Sequence, residues 1–178
     1  MEWLSPDPFY PIEKKGVSMD VRLRALALVA AALCSYASAA TVSVTIFESG
    51  LRDGAAAEAS SAWENAVLEE FFESGNIVSN GETTRLDSPG LPSSSYGLAE
   101  ALRGGAEYYI QIALVYGAAA DRSRPSPQRA EYRISDNRGE TIFQGAKQGL
   151  DPSINGKDDE RNAHEIARIL LGRMKKDR

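Results

Sequence analysis

The chain has 178 residues, with 25 acidic against 20 basic side chains and a formal charge of −5. That balance argues against nucleic acid or anionic lipid as the main partner, since both reward clustered Lys and Arg. A single cysteine, Cys34, excludes a disulfide framework within the chain.

Residues 1–18 (MEWLSPDPFYPIEKKGVS) hold three prolines and no periodic apolar pattern, so they read as a disordered or spurious extension ahead of a second candidate start at Met19. Residues 19–39 carry Arg22 and Arg24, then the nine-residue apolar run Ala25–Leu33, then the small residues Ala37-Ser38-Ala39. A membrane span needs roughly twenty apolar residues, so this run is too short to be one. Basic flank, apolar stretch and A-x-A site together describe a cleavable secretory signal peptide, with cleavage near Ala39 and a periplasmic or extracytoplasmic destination. Cys34 follows Leu33 and not the small residue of a lipobox, so the sequence argues against a lipid anchor there. The first 39 residues carry four charges of each sign, which leaves −5 on residues 40–178. That remainder is the size of one domain, contains no other run apolar enough to cross a bilayer, and should be soluble and thiol-free.

Thr41–Glu48 (TVSVTIFE) alternates β-branched or aromatic residues with polar ones, the pattern of a strand. Gly50–Gly54 breaks it. From Ala55 to Ser74, Ala59, Ala62, Trp63, Ala66, Val67, Leu68 and Phe71 recur at helical spacing, and Gly75-Asn76 closes the helix. Ile77-Val78 opens a second strand, and the Gly/Pro/Ser-rich residues that follow read as a long loop. Tyr96–Arg103 predicts a short helix ending at Gly104-Gly105. Glu107–Gly117 (EYYIQIALVYG) is apolar on both faces, which predicts a central strand covered on both sides. Ala118–Gln128 is a polar loop. Ala130–Ser135 and Glu140–Lys147 flank a DNRG turn and predict a β-hairpin, and a last amphipathic helix runs from about Asp159 to Lys176 with Ala163, Ile166, Ala167, Leu170 and Met174 on one stripe. The order β-α-β-α-β-β-β-α predicts a single α/β (α+β) domain over residues 40–178, a mixed four- to five-stranded sheet with helices packed on it.

No residue pattern points to a cofactor, a metal or a catalytic group. Gly50–Gly54 lacks both G-K-[ST] and G-x-G-x-x-G. Asp158-Asp159-Glu160 suits a helix start better than an EF-hand. Ser60-Ser61 and Ser93-Ser94-Ser95 lack the nucleophile-elbow setting, and His164 has no partner among its sequence neighbours. Trp63, Phe71 and Phe72 read first as core. Phe72 and Tyr109, near the edges of their apolar faces, are candidate exposed anchors for a partner. Arg122, Arg124 and Arg129, interleaved with Pro125 and Pro127, form the candidate contact loop.

The segments TVSVTIFES, AVLEEFFESGNIVSN, GGAEYYIQIALVYG, EYRISDNRGETIFQG and AHEIARILLGRM occur in an order that resembles a bacterial envelope group. That group comprises the amino-terminal domain of TolB, the curli-export lipoprotein CsgG and the lipoprotein activators of penicillin-binding proteins. Leu68, Ser74, Gly75 and Val78 follow its L-x-x-S-G-x-x-x-V pattern loosely, as Asp136 and Gly139 follow its D-x-x-x-G turn. The chain departs from the group in lacking a lipobox and a following β-propeller. The resemblance implies a non-enzymatic adaptor that binds another envelope protein, with no catalytic residue. The residues leave open an envelope or cell-wall hydrolase working through a carboxylate pair, and a small-ligand carrier.

Overall fold

The computed structural model describes residues 39–50, 58–117, 126–150 and 157–174. The amino-terminal segment with Cys34, the Gly50–Gly54 break past Gly50, and Arg122 and Arg124 lie outside the described residues. Residues 39–178 form one compact unit.

Strand β1 (Thr41–Ser49) is buried at every position after Thr41, which requires cover on both faces. Helix α1 (Glu58–Glu73) follows, then β2 (Ile77–Asn80) and β3 (Thr84–Leu86). Both of these pair parallel with β1 along the same edge: β2 takes Thr41–Val44 and β3 takes Phe47–Ser49. Helix α2 (Leu98–Arg103) leads to β4 (Tyr108–Tyr116), which pairs parallel with the other edge of β1. Strands β5 (Pro127–Asp136) and β6 (Thr141–Gln148) extend the sheet antiparallel, and α3 (Lys157–Met174) closes the chain order. The result is an open, mixed, six-stranded sheet in the order β2-β1-β4-β5-β6, with β3 beside β2 on β1, and three helices packed on it.

Side-chain alternation gives the sheet two different faces. One carries Val42, Val44 and Ile46 with Ile110, Ile112, Leu114, Tyr132 and Ile134, and packs against Trp63, Ala66, Val67 and Phe71 of α1 and Ile166, Ala167 and Leu170 of α3. The stripe expected on α3 is thus the stripe that is buried. The other face carries Ser43, Thr45, Phe47, Tyr109, Gln111 and Ser135, and lies under α2 and the segment before it. β4 is the central strand, covered on both sides as its composition predicts.

The structure adds a strand that the residues did not announce. Thr84–Leu86 reads as loop because it is short and polar, yet it supplies hydrogen bonds to a stretch of β1 edge that β2 does not reach. Helix α2 starts at Leu98 and not Tyr96, because Gly97 stands at its N-cap with φ +75°. The hairpin lies where the turn chemistry puts it: Gly139 has φ +81°, and the Asp136 carboxylate accepts from the N–H groups of Arg138 and Glu140 at 2.9 and 2.8 Å. β5 begins earlier than expected, at Pro127, opposite a bulge at Val115/Tyr116 where a residue without an N–H is tolerated.

Candidate functional site

Helix α1 ends in a paired turn: Gly75 N–H donates to Phe72 O and Asn76 N–H to Phe71 O, with Gly75 at φ +82°. This turn sets the orientation of two adjacent phenylalanines. Phe71 is fully buried in the core, whereas Phe72 is 70% exposed, and Ile77 across the turn is 60% exposed. The sequence expectation of an exposed Phe72 is met, and its reading as core is not. Ser61, Asn65, Glu69, Phe72 and Glu73 are the exposed positions of the same outer helix face.

That face is acidic in an unusual place. The last turn of α1 holds Glu70 and Glu73 and no basic residue, with Glu69 just before it, although the helix macrodipole disfavours acids in that turn by about 0.3–1 kcal/mol each. α3 compensates one of them. Arg168 Nε donates to Glu70 Oε1 and His164 Nδ1 hydrogen-bonds Glu70 Oε2, both at 3.0 Å. The Arg168 guanidinium holds the Glu70 carboxyl below its usual range, with His164 adding to the effect and partial burial opposing it. His164, which has no partner in its own sequence neighbourhood, therefore finds one 94 residues away. Its described partners are the carboxylates Glu69 and Glu70, so it links α3 to α1.

The other predicted contact residues are dispersed. Tyr109 is 1% exposed, packed with Ala101, Ala106 and Leu98, so it is not a surface anchor. The short helix α2, whose apolar residues are too few to show in a periodicity, is what covers it. Gly97 comes so close that a Cβ there would stand 2.4 Å from the Tyr109 hydroxyl, and burial pushes that phenol up from its ordinary pKa. Arg129 is on β5, on the face opposite the helix core, and pairs with Glu131 at 2.5 Å. The structure therefore does not bring Arg129 to Phe72.

The α2 face contains a polar network. Gln111, fully buried, donates to the carbonyls of Ser93 and Tyr96 at 3.1 Å and accepts from Arg133 Nη1 at 3.0 Å. Arg133 also donates to Pro92 O at 3.0 Å, and Glu131 accepts from Leu91 N–H at 3.1 Å. Together they fasten residues 91–96 across the sheet, and Tyr96 meets Phe47 edge-on at 5.5 Å. Beside this segment lies an open cleft of about 240 Å³ lined by Ser43, Thr45, Thr84, Tyr96, Glu82 and Glu100, among others.

At the carboxyl ends of β1 and β4, polar groups are buried under the helix starts. Ser60 and the Tyr116 hydroxyl share a hydrogen bond of 2.9 Å, and Trp63 Nε1 donates to Asp159 Oδ1 at 3.3 Å. Burial, opposed by the Ser60 bond and joined by the carboxylates of Glu48 and Asp159, keeps the Tyr116 phenol protonated far above neutrality. Glu48, 3% exposed, lies 4.0 Å from Arg85. A signal for it existed in the strand: Glu48 continues the inward series Val42, Val44, Ile46. Asp158, Asp159 and Glu160 occupy the first turn of α3, as the macrodipole favours. Among the described residues, no three His, Cys, Asp or Glu side chains are grouped to hold a metal, and no helix is long and apolar enough to cross a membrane.

No protein-family model and no curated protein matches the chain. Solved structures with a similar course include the PelC dodecamer of Paraburkholderia phytofirmans, at 15% identity and a TM-score of 0.43, covering 73% of this chain and 87% of that one. Another is a competence or damage-inducible protein of Enterobacter asburiae, at 15% identity and a TM-score of 0.37, covering 81% of this chain and 92% of that one.

Proposed function

We propose that the chain is an exported, non-enzymatic accessory domain that binds another protein of the cell envelope. The observation that carries this reading is Phe72, 70% exposed on a helix whose neighbouring phenylalanine, Phe71, is fully buried. A large aromatic left in water is the kind of side chain that anchors an interface centre. The signal-like pattern of residues 19–39 and the resemblance to the envelope group support the compartment, and the compact unit begins at Ala39, next to the expected cleavage site.

The test uses Ala40–Arg178 as immobilised bait for detergent-solubilised envelope, with bound proteins identified by mass spectrometry. One specific partner at stoichiometric amount across a range of salt is expected, and nothing above background would remove the reading. The mass of the exported chain checks the processing: an amino terminus still carrying residues 19–39 contradicts it.

A second reading, the hydrolase, draws on the open cleft, where Glu82 and Glu100 are the available carboxylates. Release of fragments from purified cell wall, abolished by Glu82→Gln and by Glu100→Gln, would establish it over the adaptor.

A further inference from the structure

We infer that the outer face of α1 is a docking site for a basic polypeptide segment of the partner, one that presents an apolar residue flanked by Lys or Arg. The inference rests on the adaptor reading and specifies its partner's chemistry.

Three observations converge on that face. Helix α1 carries five glutamates and neither Lys nor Arg over its whole length. Its exposed stripe runs from Ser61 and Asn65 through Glu69 to Phe72 and Glu73. Glu69 is one helical turn before Phe72 and is 62% exposed, so an acidic group and the aromatic anchor share one surface. α3 answers part of this charge: Arg168 and His164 bond Glu70, and His164 Nε2 also lies 3.9 Å from Glu69. Three carboxylates, Glu69, Glu70 and Glu73, thus stand against one Arg and one His, and Glu69 and Glu73 are exposed near the helix end where the macrodipole opposes them.

A sequence that places acids against the helix dipole around an exposed Phe breaks two local rules at one spot, which is where function is expected. A basic segment corrects both. Its Lys or Arg side chains meet Glu69 and Glu73 and relieve the unfavourable helix end, while its apolar residue removes Phe72 from water. An acidic or neutral segment would correct only the second. The same charges disfavour an anionic membrane surface, which they would repel.

The experiment measures fluorescence anisotropy of a labelled, amphipathic Lys/Leu peptide with the full chain. Its twins have each Lys replaced by Glu, or each Leu by Ser. The Lys/Leu peptide is expected to bind and both twins to fail. Affinity should fall at least about tenfold for Phe72→Ala, and equally for Glu69→Lys/Glu73→Lys. It should weaken as salt rises, and remain unchanged for Asp87→Lys/Glu140→Lys, which moves the net charge by the same amount elsewhere. Absence of binding, or an equal loss in the Asp87→Lys/Glu140→Lys control, overturns the assignment. So does concentration-dependent self-association that Phe72→Ala abolishes, which would give the face to a second copy of this chain. The envelope capture separates the two levels. A stoichiometric partner retained by the Phe72→Ala and Glu69→Lys/Glu73→Lys baits overturns this docking face and leaves the adaptor reading intact.

Discussion

Replacing Gln111 by Leu tests whether the segment 91–96 is held to the sheet by its buried polar network. Leucine has nearly the volume of glutamine but neither donates nor accepts. Three hydrogen bonds go: those to Ser93 O and Tyr96 O, and that from Arg133. At about 1 kcal/mol for each neutral bond and about 1.5–3 kcal/mol for the one to a guanidinium, the gross loss is about 4 kcal/mol. Arg133 keeps its bonds to Pro92 O and Gln144, and leucine recovers part of the loss by apolar burial, which brings the expected cost to about 3 kcal/mol. Urea unfolding of Ala40–Arg178, followed by the fluorescence of buried Trp63, measures it. With a slope of about 2 kcal/mol per molar urea, the midpoint should fall by about 1.5 M. Amide exchange at 91–96 should accelerate more than exchange within β1 and β4, because the segment loses its fastening before the sheet loses its core. The companion Arg133→Met should be sub-additive with Gln111→Leu, since the two share one bond. A loss below about 1 kcal/mol with unchanged exchange at 91–96 would refute the network as the fastening.

Three further outcomes follow from single sites. Phe71→Ala should cost about 3–5 kcal/mol by the cavity it leaves, while Phe72→Ala should change stability by no more than about 0.5 kcal/mol, so the two neighbours read by thermal unfolding check the orientation of the α1 end. Gly50→Ala should cost about 1–2 kcal/mol in backbone conformation alone, and more in practice, because Gly50 has φ +80° and an added Cβ would stand 2.3 Å from the Tyr116 carbonyl oxygen; a neutral effect on the urea midpoint would contradict that geometry. Glu70 has a folded pKa below its unfolded value, so its contribution is full above the unfolded value of about 4.5 and is lost as pH falls through the lower, folded one. Glu70→Gln should therefore lower stability at neutral pH and flatten its decline in acid. Parallel urea curves for the two proteins from neutral to acidic pH would show otherwise.

The regular elements were legible in the residues because their signals are local. Alternation in TVSVTIFE and YYIQIALVY, helical spacing from Trp63 to Phe71 and from Ala163 to Met174, and the Asp136–Gly139 turn each specify geometry over a few residues. The exposure of Phe72 was within reach for the same reason, since it lies near the edge of the apolar face of its own helix. What the tertiary structure decided depends on which surfaces meet. Tyr109 has a side chain compatible with either environment, and only the arrival of α2 and Gly97 over the sheet buries it. Thr84–Leu86 becomes a strand through the unpaired backbone of β1, not through its own side chains. Glu70, His164 and Arg168 sit on helices far apart in sequence, and a carboxylate that looks merely solvated in α1 acquires its partners only when α3 packs beside it. Local spacing determines which residues share a face of an element, and packing alone determines what that face touches.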